Sequence, residues 1–390
     1  MHKNLLCYTQ PRENMSSKFR NYHLTSILEG FVKQSLPLDL FLKNYFKTNK
    51  AVGSHDRKFL AESIYKMIRW RSLIRHLCQE DLSTEHQIAV LETLDPEKYL
   101  TDDSIPQHIR VSFPQTYFDF LVEELGSAKA LDFCIQSNFP APTTIRTNTI
   151  KTTRENLAER LEKHQEIRLG TESPHAIHFA KRVNFLILPE FKEGLFEVQD
   201  EASQLVSLEV KVKPGDHFLD YCAGSGGKSL AIAPQMRGKG QLYLHDTRAY
   251  PLGEAKKRLK RAGVQNAKVL DPLELKKNNL HGKMDWVLAD VPCSGSGTLR
   301  RNPDMKWKFD IKALQETLLL QREIFTKALT FVKPNGYIVY STCSIFPREN
   351  EKQTNYFLEN LPVKRTSPAF FSYPSLGGMD GFYSVVLQKC

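Results

Sequence analysis

The sequence predicts an α/β protein built on a doubly wound parallel sheet, preceded by an all-helical segment and a small α+β module. Three observations carry this prediction. From Lys213 onward, strand-like runs (HFLDYC, QLYLHD, AKVLD, DWVLADVP, GYIVYSTC) alternate with helix-like ones such as LQETLLLQREIFTKALTFV, the pattern of βαβ units. A glycine-rich turn with Gly224, Gly226 and Gly227 directly follows the first of those runs. Before Gly126, apolar residues recur instead at three- and four-residue spacing, as helices require. The expected division is a helical segment over residues 1–130, an α+β module over 135–200 and the parallel sheet over 201–390.

At 390 residues the chain exceeds one ordinary core. Hydrophobic residues make up 41% and charged residues 25%, which suits a water-soluble chain, and no apolar run approaches the roughly 18–20 residues of a membrane helix. The opening MHKNLLCYTQPRENMSSKFR lacks an apolar core followed by a small-residue cleavage site, so a cytoplasmic location is expected. The seven cysteines (7, 78, 134, 222, 293, 343, 390) include no Cys-x-x-Cys pair, which points to reduced thiols and no metal site. The net charge of +10 favours a polyanionic partner, and it is unevenly placed. Residues 1–75 carry 14 basic and 5 acidic side chains, residues 76–130 only 3 and 11.

Taken in order, Ser17 to Cys78 reads as helical, and SHDRKFLAESIYKMIRWRSLIRHLC as one amphipathic helix with Leu60, Ile64, Met67, Ile68 and Leu77 on one side and Lys66, Arg69, Arg71 and Arg75 on a basic flank. Further helices broken by acidic loops such as TDDS follow to Gly126. The prolines of SNFPAPTTIRTNTI mark the start of the module. Thr152 and Glu155 have the spacing of a capping box before NLAERLEK, and the short apolar runs AIHF and NFLIL follow. In the last segment, GFYSVVLQKC reads as a final strand.

The turn Cys222-Ala223-Gly224-Ser225-Gly226-Gly227-Lys228 allows a ligand to approach backbone amides closely. It is not a Walker loop, which needs glycine five residues before Gly227, where Cys222 stands. Asp246, ending the second strand-like run, is placed to accept hydrogen bonds from both ribose hydroxyls of a cofactor, and Asp271, ending the third, to reach an adenine amino group. For either carboxylate the plain alternative is a helix cap or a surface charge. Cys222 also has a plain reading, as a buried structural thiol.

Cys293 and Cys343 each follow a strand-like run and emerge at the same carboxyl edge of the sheet. DVPCSGSGTLRRNPDMKW and YSTCSIFPRENE, together with FEVQDEASQLV, CAGSGGK and GGMDGF, resemble the RsmB/Sun family of RNA cytosine-5 methyltransferases across roughly residues 140–390. The resemblance implies a class I S-adenosylmethionine-dependent methyltransferase with a Rossmann-like seven-stranded sheet, the cofactor held by the glycine turn from Cys222 to Lys228 and by Asp246, Asp271 and Asp290. Addition of a thiolate to C6 of cytosine makes C5 nucleophilic, and a second thiol can assist release, which accounts for two cysteines. The residues alone leave open which thiol attacks. The family pattern implies that Cys343 attacks, Cys293 aids release, Asp290 holds the ring near N3 and Lys228 supports the base or its phosphate. Lys228, Arg300 and Arg301 are candidates to lower a thiol pKa.

Two departures from the family pattern stand out: AGSGGK where many members have AAPGGK, and Pro251 early in the helix after Asp246. Arg300, Arg301 and Lys306 are expected to contact RNA phosphates, the plain alternative being salt bridges that fix the loop itself. Residues 17–125 resemble, more loosely, a NusB-like helical RNA-binding domain, and the α+β module an RRM-like one without an aromatic stacking signature. A monomer is expected, acting on small-subunit ribosomal RNA or else on tRNA, with no membrane or metal partner. An inactive RNA-binding assembly factor and an NAD-dependent oxidoreductase are the competing classes, and the second gives no reason for two strand-end thiols.

Overall fold

The computed structural model describes residues 15–34 and 36–390, so Cys7 and the beginning of the predicted helical segment lie outside the described residues. The chain forms two units: residues up to Glu123 together with Asn302–Lys308, and Glu124–Arg301 together with Phe309–Cys390. Among the described residues, no helix is long and apolar enough to cross a membrane.

The first unit is helical, with Met15–Val32, Leu38–Thr48, Ser54–Arg69, Arg71–Leu77 and Thr84–Thr93 as its main elements. Leu24, Ile27, Leu60, Ile64, Leu73 and Ile74 form its core, and each such side chain contributes about 1.5–3 kcal/mol by burial. The single amphipathic helix expected over residues 54–78 is two helices, broken at Trp70, whose backbone (φ −108°, ψ 22°) leaves the helical region. Lys66 does not belong to a solvated basic flank, because its ammonium donates to the carbonyls of Leu91 and Leu94 at 3.1 and 2.8 Å.

The second unit contains two sheets. The smaller one consists of β1 (Thr143–Thr147), β2 (Ile167–Leu169), β3 (Ala176–Phe179) and β4 (Phe196–Val198), all antiparallel in the order β2-β3-β1-β4. Thr153, one residue later than expected, caps the helix Arg154–Glu162 by accepting from the Asn156 amide. NFLIL forms a 3-10 turn, Phe185–Ile187, and no strand.

The larger sheet is built from β5 (His217–Asp220), β6 (Gln241–His245), β7 (Ala267–Leu270), β8 (Met284–Asp290), β9 (Val332–Thr342), β10 (Val363–Arg365), β11 (Phe370–Ser372) and β12 (Phe382–Lys389). Seven strands form one ladder, β10-β12-β9-β8-β5-β6-β7, with β5, β6, β7, β8 and β9 parallel. An eighth strand, β11, shares the outer edge of β12 with β10. The seven-stranded expectation misses it because two short strands divide one edge position, separated by a segment containing Pro368, which has no amide to donate. Pro251 is accommodated in the first turn of the helix Ala249–Ala262, where backbone amides have no intrahelical acceptor.

The smaller sheet supports the larger one. Glu197 on β4 pairs with Arg258 and Arg261 of the helix Ala249–Ala262 at 3.0 and 2.5 Å. Arg146 on β1 is buried and donates to the Gly227 carbonyl at 2.9 Å, which fixes the glycine turn from behind; burial lowers its pKa to about 9.

Candidate active site

The order of the sheet reverses at β5, with β6 on one side and β8 on the other, and ligands of such sheets bind beyond the carboxyl ends at that point. Asp220 ends β5, Asp246 follows β6, Asp271 follows β7 and Asp290 ends β8. Gly226, at φ +78°, initiates the short helix Gly227–Ile232; a Cβ there would press on Leu244 at 3.1 Å. Gly224 also has positive φ, and its amide donates to Asp246 at 2.9 Å.

Asp246 is buried and accepts further hydrogen bonds from the amide and guanidinium of Arg248 at 2.9–3.0 Å. Burial works to raise its pKa, and the Arg248 bonds outweigh that and hold it below the usual carboxylate range. Arg248 itself is 70% exposed, so its side chain is free to swing aside from the carboxylate. Asp271 is placed otherwise. It caps the helix Pro272–Lys277 through the amides of Leu273 and Glu274, both at 2.8 Å, and Glu274 completes the capping box. The capping alternative thus describes one of its oxygens. Cys222 is half-buried, and burial together with Asp220 raises its pKa, so it stays a thiol. Ala223 donates its amide to the His245 carbonyl at 2.8 Å, and Ser225 accepts from Arg258.

Asp220 escaped the sequence reading. It is 1% exposed; one oxygen accepts from Ser229 at 2.7 Å, and the other is buried without a partner. A buried, unpaired carboxylate oxygen costs stability unless a ligand donates to it. Together with the bare glycine edge and Asp246, it fits a cofactor that carries an ammonium group and a ribose, as S-adenosylmethionine does. The signal was in the sequence: Asp220 is the last residue of the strand that enters the glycine turn.

Burial pushes the Asp220 pKa up to about 7. Between the unfolded value of 3.8 and about 7 the folded chain holds a proton that the unfolded chain lacks, so stability falls as pH rises through that window, on the order of 4 kcal/mol in all. Asp220→Asn is expected to melt above the wild type at high pH without cofactor, to converge with it in acid, and to bind S-adenosylmethionine at least about tenfold more weakly. Melting curves at two pH values and calorimetric titration check this; equal melting temperatures at high pH would contradict it.

The two thiols meet for a topological reason. β8 and β9 are adjacent and parallel with Asp290 opposite Ser341, and Cys293 and Cys343 stand just beyond those ends. Their sulfurs are 3.3 Å apart, an S–H···S contact in which either can donate and well beyond the roughly 2.05 Å of a disulfide. The contact with Cys343, followed by burial, holds the Cys293 pKa well above the usual thiol value. The Gly297 amide donates to the Cys343 carbonyl at 3.0 Å, and Gly297 packs so closely on the Gly381 backbone that no Cβ fits. Glu349, fully buried, accepts from the amide and hydroxyl of Ser294 at 2.8 and 2.5 Å and from Gln321 at 3.0 Å, tying the loop after Cys293 to the loop after Cys343. Lys228 donates to Asp290 at 2.6 Å; burial opposes its charge, Asp290 outweighs burial, and the ammonium pKa rises.

The three cations expected at RNA phosphates are all engaged by protein groups. Arg300 is 2% exposed and donates to Asp380 and to the carbonyls of Ser375 and Gly378. Arg301 bridges Asp200 and Asp380. Lys306 is buried in the first unit, donating to the Arg69 carbonyl at 2.7 Å over the Phe113 ring. The expectation of phosphate contacts fails for Arg300 and Lys306, which have no free face to offer. Nor are the two arginines spare positive charge for a thiol, since carboxylates already balance them.

The cofactor cradle at the switch point marks a group-transfer enzyme that uses a ribose-bearing cofactor, and beside it lie the Lys228–Asp290 pair and two sulfurs in contact. The family model for the 16S rRNA methyltransferase RsmB/F matches residues 207–383, and that for the RsmF/B ferredoxin-like domain matches 113–185. A probable ribosomal RNA small subunit methyltransferase B of Synechocystis is 30% identical over 74% of this chain and 70% of its own length. The mouse 28S rRNA (cytosine-C(5))-methyltransferase is 30% identical over 70% of this chain, a match that spans 39% of the mouse protein. The crystal structure of PH0851 superposes with a TM-score of 0.81 at 24% identity, over 95% of this chain and 98% of that one, and shares the fold. The chain belongs to the RsmB/Sun family of S-adenosylmethionine-dependent RNA cytosine-5 methyltransferases.

Proposed function

We propose that the protein methylates C5 of a cytosine in small-subunit ribosomal RNA through a covalent bond between Cys343 and C6 of the base. The observation that carries this reading is the 3.3 Å separation of Cys293 and Cys343 sulfurs at the ends of adjacent strands. The Cys343 thiolate adds to C6, and the electron pair of the C5–C6 double bond passes into the ring toward N3. The Lys228–Asp290 pair faces that ring, Asp290 orienting it and the Lys228 ammonium offsetting the negative charge. Asp220, the glycine turn and Asp246 would hold S-adenosylmethionine, which would supply an electrophilic methyl group for C5 and leave as S-adenosylhomocysteine. Solvent water takes up the C5 proton, whose bonding pair restores the double bond as the C6–S bond breaks toward sulfur. Cys293, which keeps its proton, donates it to the departing Cys343 sulfur.

The small-subunit target rests on the name of the Synechocystis relative and the description of the matching family. Incubation with labelled S-adenosylmethionine and separated 16S rRNA, 23S rRNA and tRNA tests it. Label is expected in 16S rRNA, with one cytosine protected from bisulfite. Label in tRNA alone would overturn the target.

A further inference from the structure

Within the first unit, a cavity of about 680 Å³ opens between the end of the helix Met15–Val32 and the helices Ser54–Arg69 and Arg71–Leu77. Its walls include Phe31, Lys33, Arg71, Arg75, Trp307 and Lys308. Arg71, Arg75 and Trp307 also line a second depression of about 570 Å³, so the three side chains form a ridge shared by two hollows.

The charges of this ridge are not balanced from within. Arg71 and Arg75 stand one helical turn apart, a spacing at which like charges destabilise a helix. Two other arginines of the unit are ion-paired, Arg20 with Asp56 and Arg110 with Asp103, both at 2.8–2.9 Å, and Arg57 donates to the Val52 carbonyl. Among the described residues neither Arg71 nor Arg75 has an ion-pair partner; Arg71 instead lies 5.4 Å from the centre of the Trp307 ring. Two carboxylates also line the cavity. Asp304 is engaged by Lys308 at 2.9 Å, which leaves Glu29 opposed to Lys33, Arg71 and Arg75. Burial and the neighbouring Arg75 both lower the Arg71 pKa, as for a cation lacking its anion.

We propose that this ridge binds a nucleotide within single-stranded RNA, its phosphate on Arg71 and Arg75 and its base against the Trp307 ring. Cations placed beside an aromatic face are the pairing that single strands use, and the volume falls in the roughly 300–1,000 Å³ range of small-ligand sites. A second hollow lined by the same three residues would give a strand room to continue, which a site for a free nucleotide does not need. A duplex keeps its bases stacked and unavailable to the ring. The assignment rests on the reading of the protein as an RNA-modifying enzyme and adds a contact outside the catalytic pocket. Trp307 itself is anchored by its indole N–H, which donates to the Ile68 carbonyl at 2.8 Å, so the ring is presented at a fixed place.

The test uses the full chain and a fluorescein-labelled, unstructured RNA of about 12 nucleotides, with polarisation measured across roughly 50–300 mM salt. The Arg71→Gln/Arg75→Gln variant is expected to bind at least about tenfold more weakly, with a salt slope shallower by about 0.7, the value for one phosphate no longer neutralised on a single strand. RNA is expected to quench tryptophan fluorescence, since Trp307 is half-exposed whereas Trp70 and Trp286 are buried. Should the double variant melt early, Arg75→Gln, a change at an exposed side chain, is expected to weaken binding about threefold alone. Unchanged affinity and slope would overturn the proposal, as would cytidine monophosphate displacing the RNA at equal concentration, which would mark a free-nucleotide site. Binding is read without methyl transfer. A protein that binds RNA through this ridge yet leaves 16S rRNA unlabelled therefore keeps this inference and removes only the proposed target.

Discussion

Cys343→Ala is expected to abolish both methyl transfer and covalent attachment to RNA, whereas Cys293→Ala is expected to attach normally and then stall as a denaturant-resistant protein–RNA complex. The asymmetry follows from the proposed division of work between two sulfurs 3.3 Å apart. Without Cys343 nothing adds to C6, and the unactivated ring does not attack a methyl group. Without Cys293 addition and transfer proceed, but the sulfur must leave as a bare thiolate in a poorly solvated pocket. Loss of a positioned proton donor slows such a step by about 10²–10⁴-fold. Turnover of the Cys293 variant should fall in that range while the adduct persists in denaturing gels. Attachment by Cys343→Ala and none by Cys293→Ala would transfer the attacking role to Cys293.

Asp380→Ala is expected to cost about 3–5 kcal/mol of stability, the penalty for leaving a buried charge uncompensated. Asp380 is 1% exposed and binds the side chains of Arg300 and Arg301, and its amide donates to Asp200 at 3.1 Å. Asp200 in turn pairs with Arg301 at 2.8 Å; burial and the charge of Asp380 push its pKa up to about 6. These four residues lie in QDEAS, LRRNPD and GGMDGF, so one network joins three segments that are distant in the chain. Without Asp380 the buried Arg300 guanidinium loses that carboxylate while the Ser375 and Gly378 carbonyls still accept from it. Urea unfolding measures the loss, and a change below about 1 kcal/mol would show that the network contributes specificity and little stability.

The parts of this protein that were readable in the sequence are those set by local pattern. The βαβ alternation, the glycine turn and the placing of two cysteines at strand ends depend on runs of a few residues, and the adjacency of β8 and β9 then brings Cys293 to Cys343. What was misread depends on partners far along the chain. Arg300, Arg301 and Lys306 read as a basic loop because Asp380, Asp200 and the Arg69 carbonyl lie about 80 to 240 positions away. Asp271 is open to two readings at one position in sequence, and the backbone after β7 turns at once into a helix that claims one of its oxygens. Glu349 is illegible in the sequence because its importance lies in burial, which neither spacing nor composition expresses, whereas Asp220 carries a positional signal as the last residue of the strand entering the glycine turn.

The most direct test of the thiol assignment is to present the wild-type enzyme and S-adenosylmethionine with RNA containing 5-fluorocytidine, in which fluorine replaces the proton that must leave from C5. The adduct then persists, and peptide mass spectrometry locates the linked sulfur. Modified nucleotide is expected on the peptide carrying Cys343 and none on that carrying Cys293; linkage to Cys293, or methylated RNA with no linkage to either thiol, would overturn the assignment of Cys343 as nucleophile.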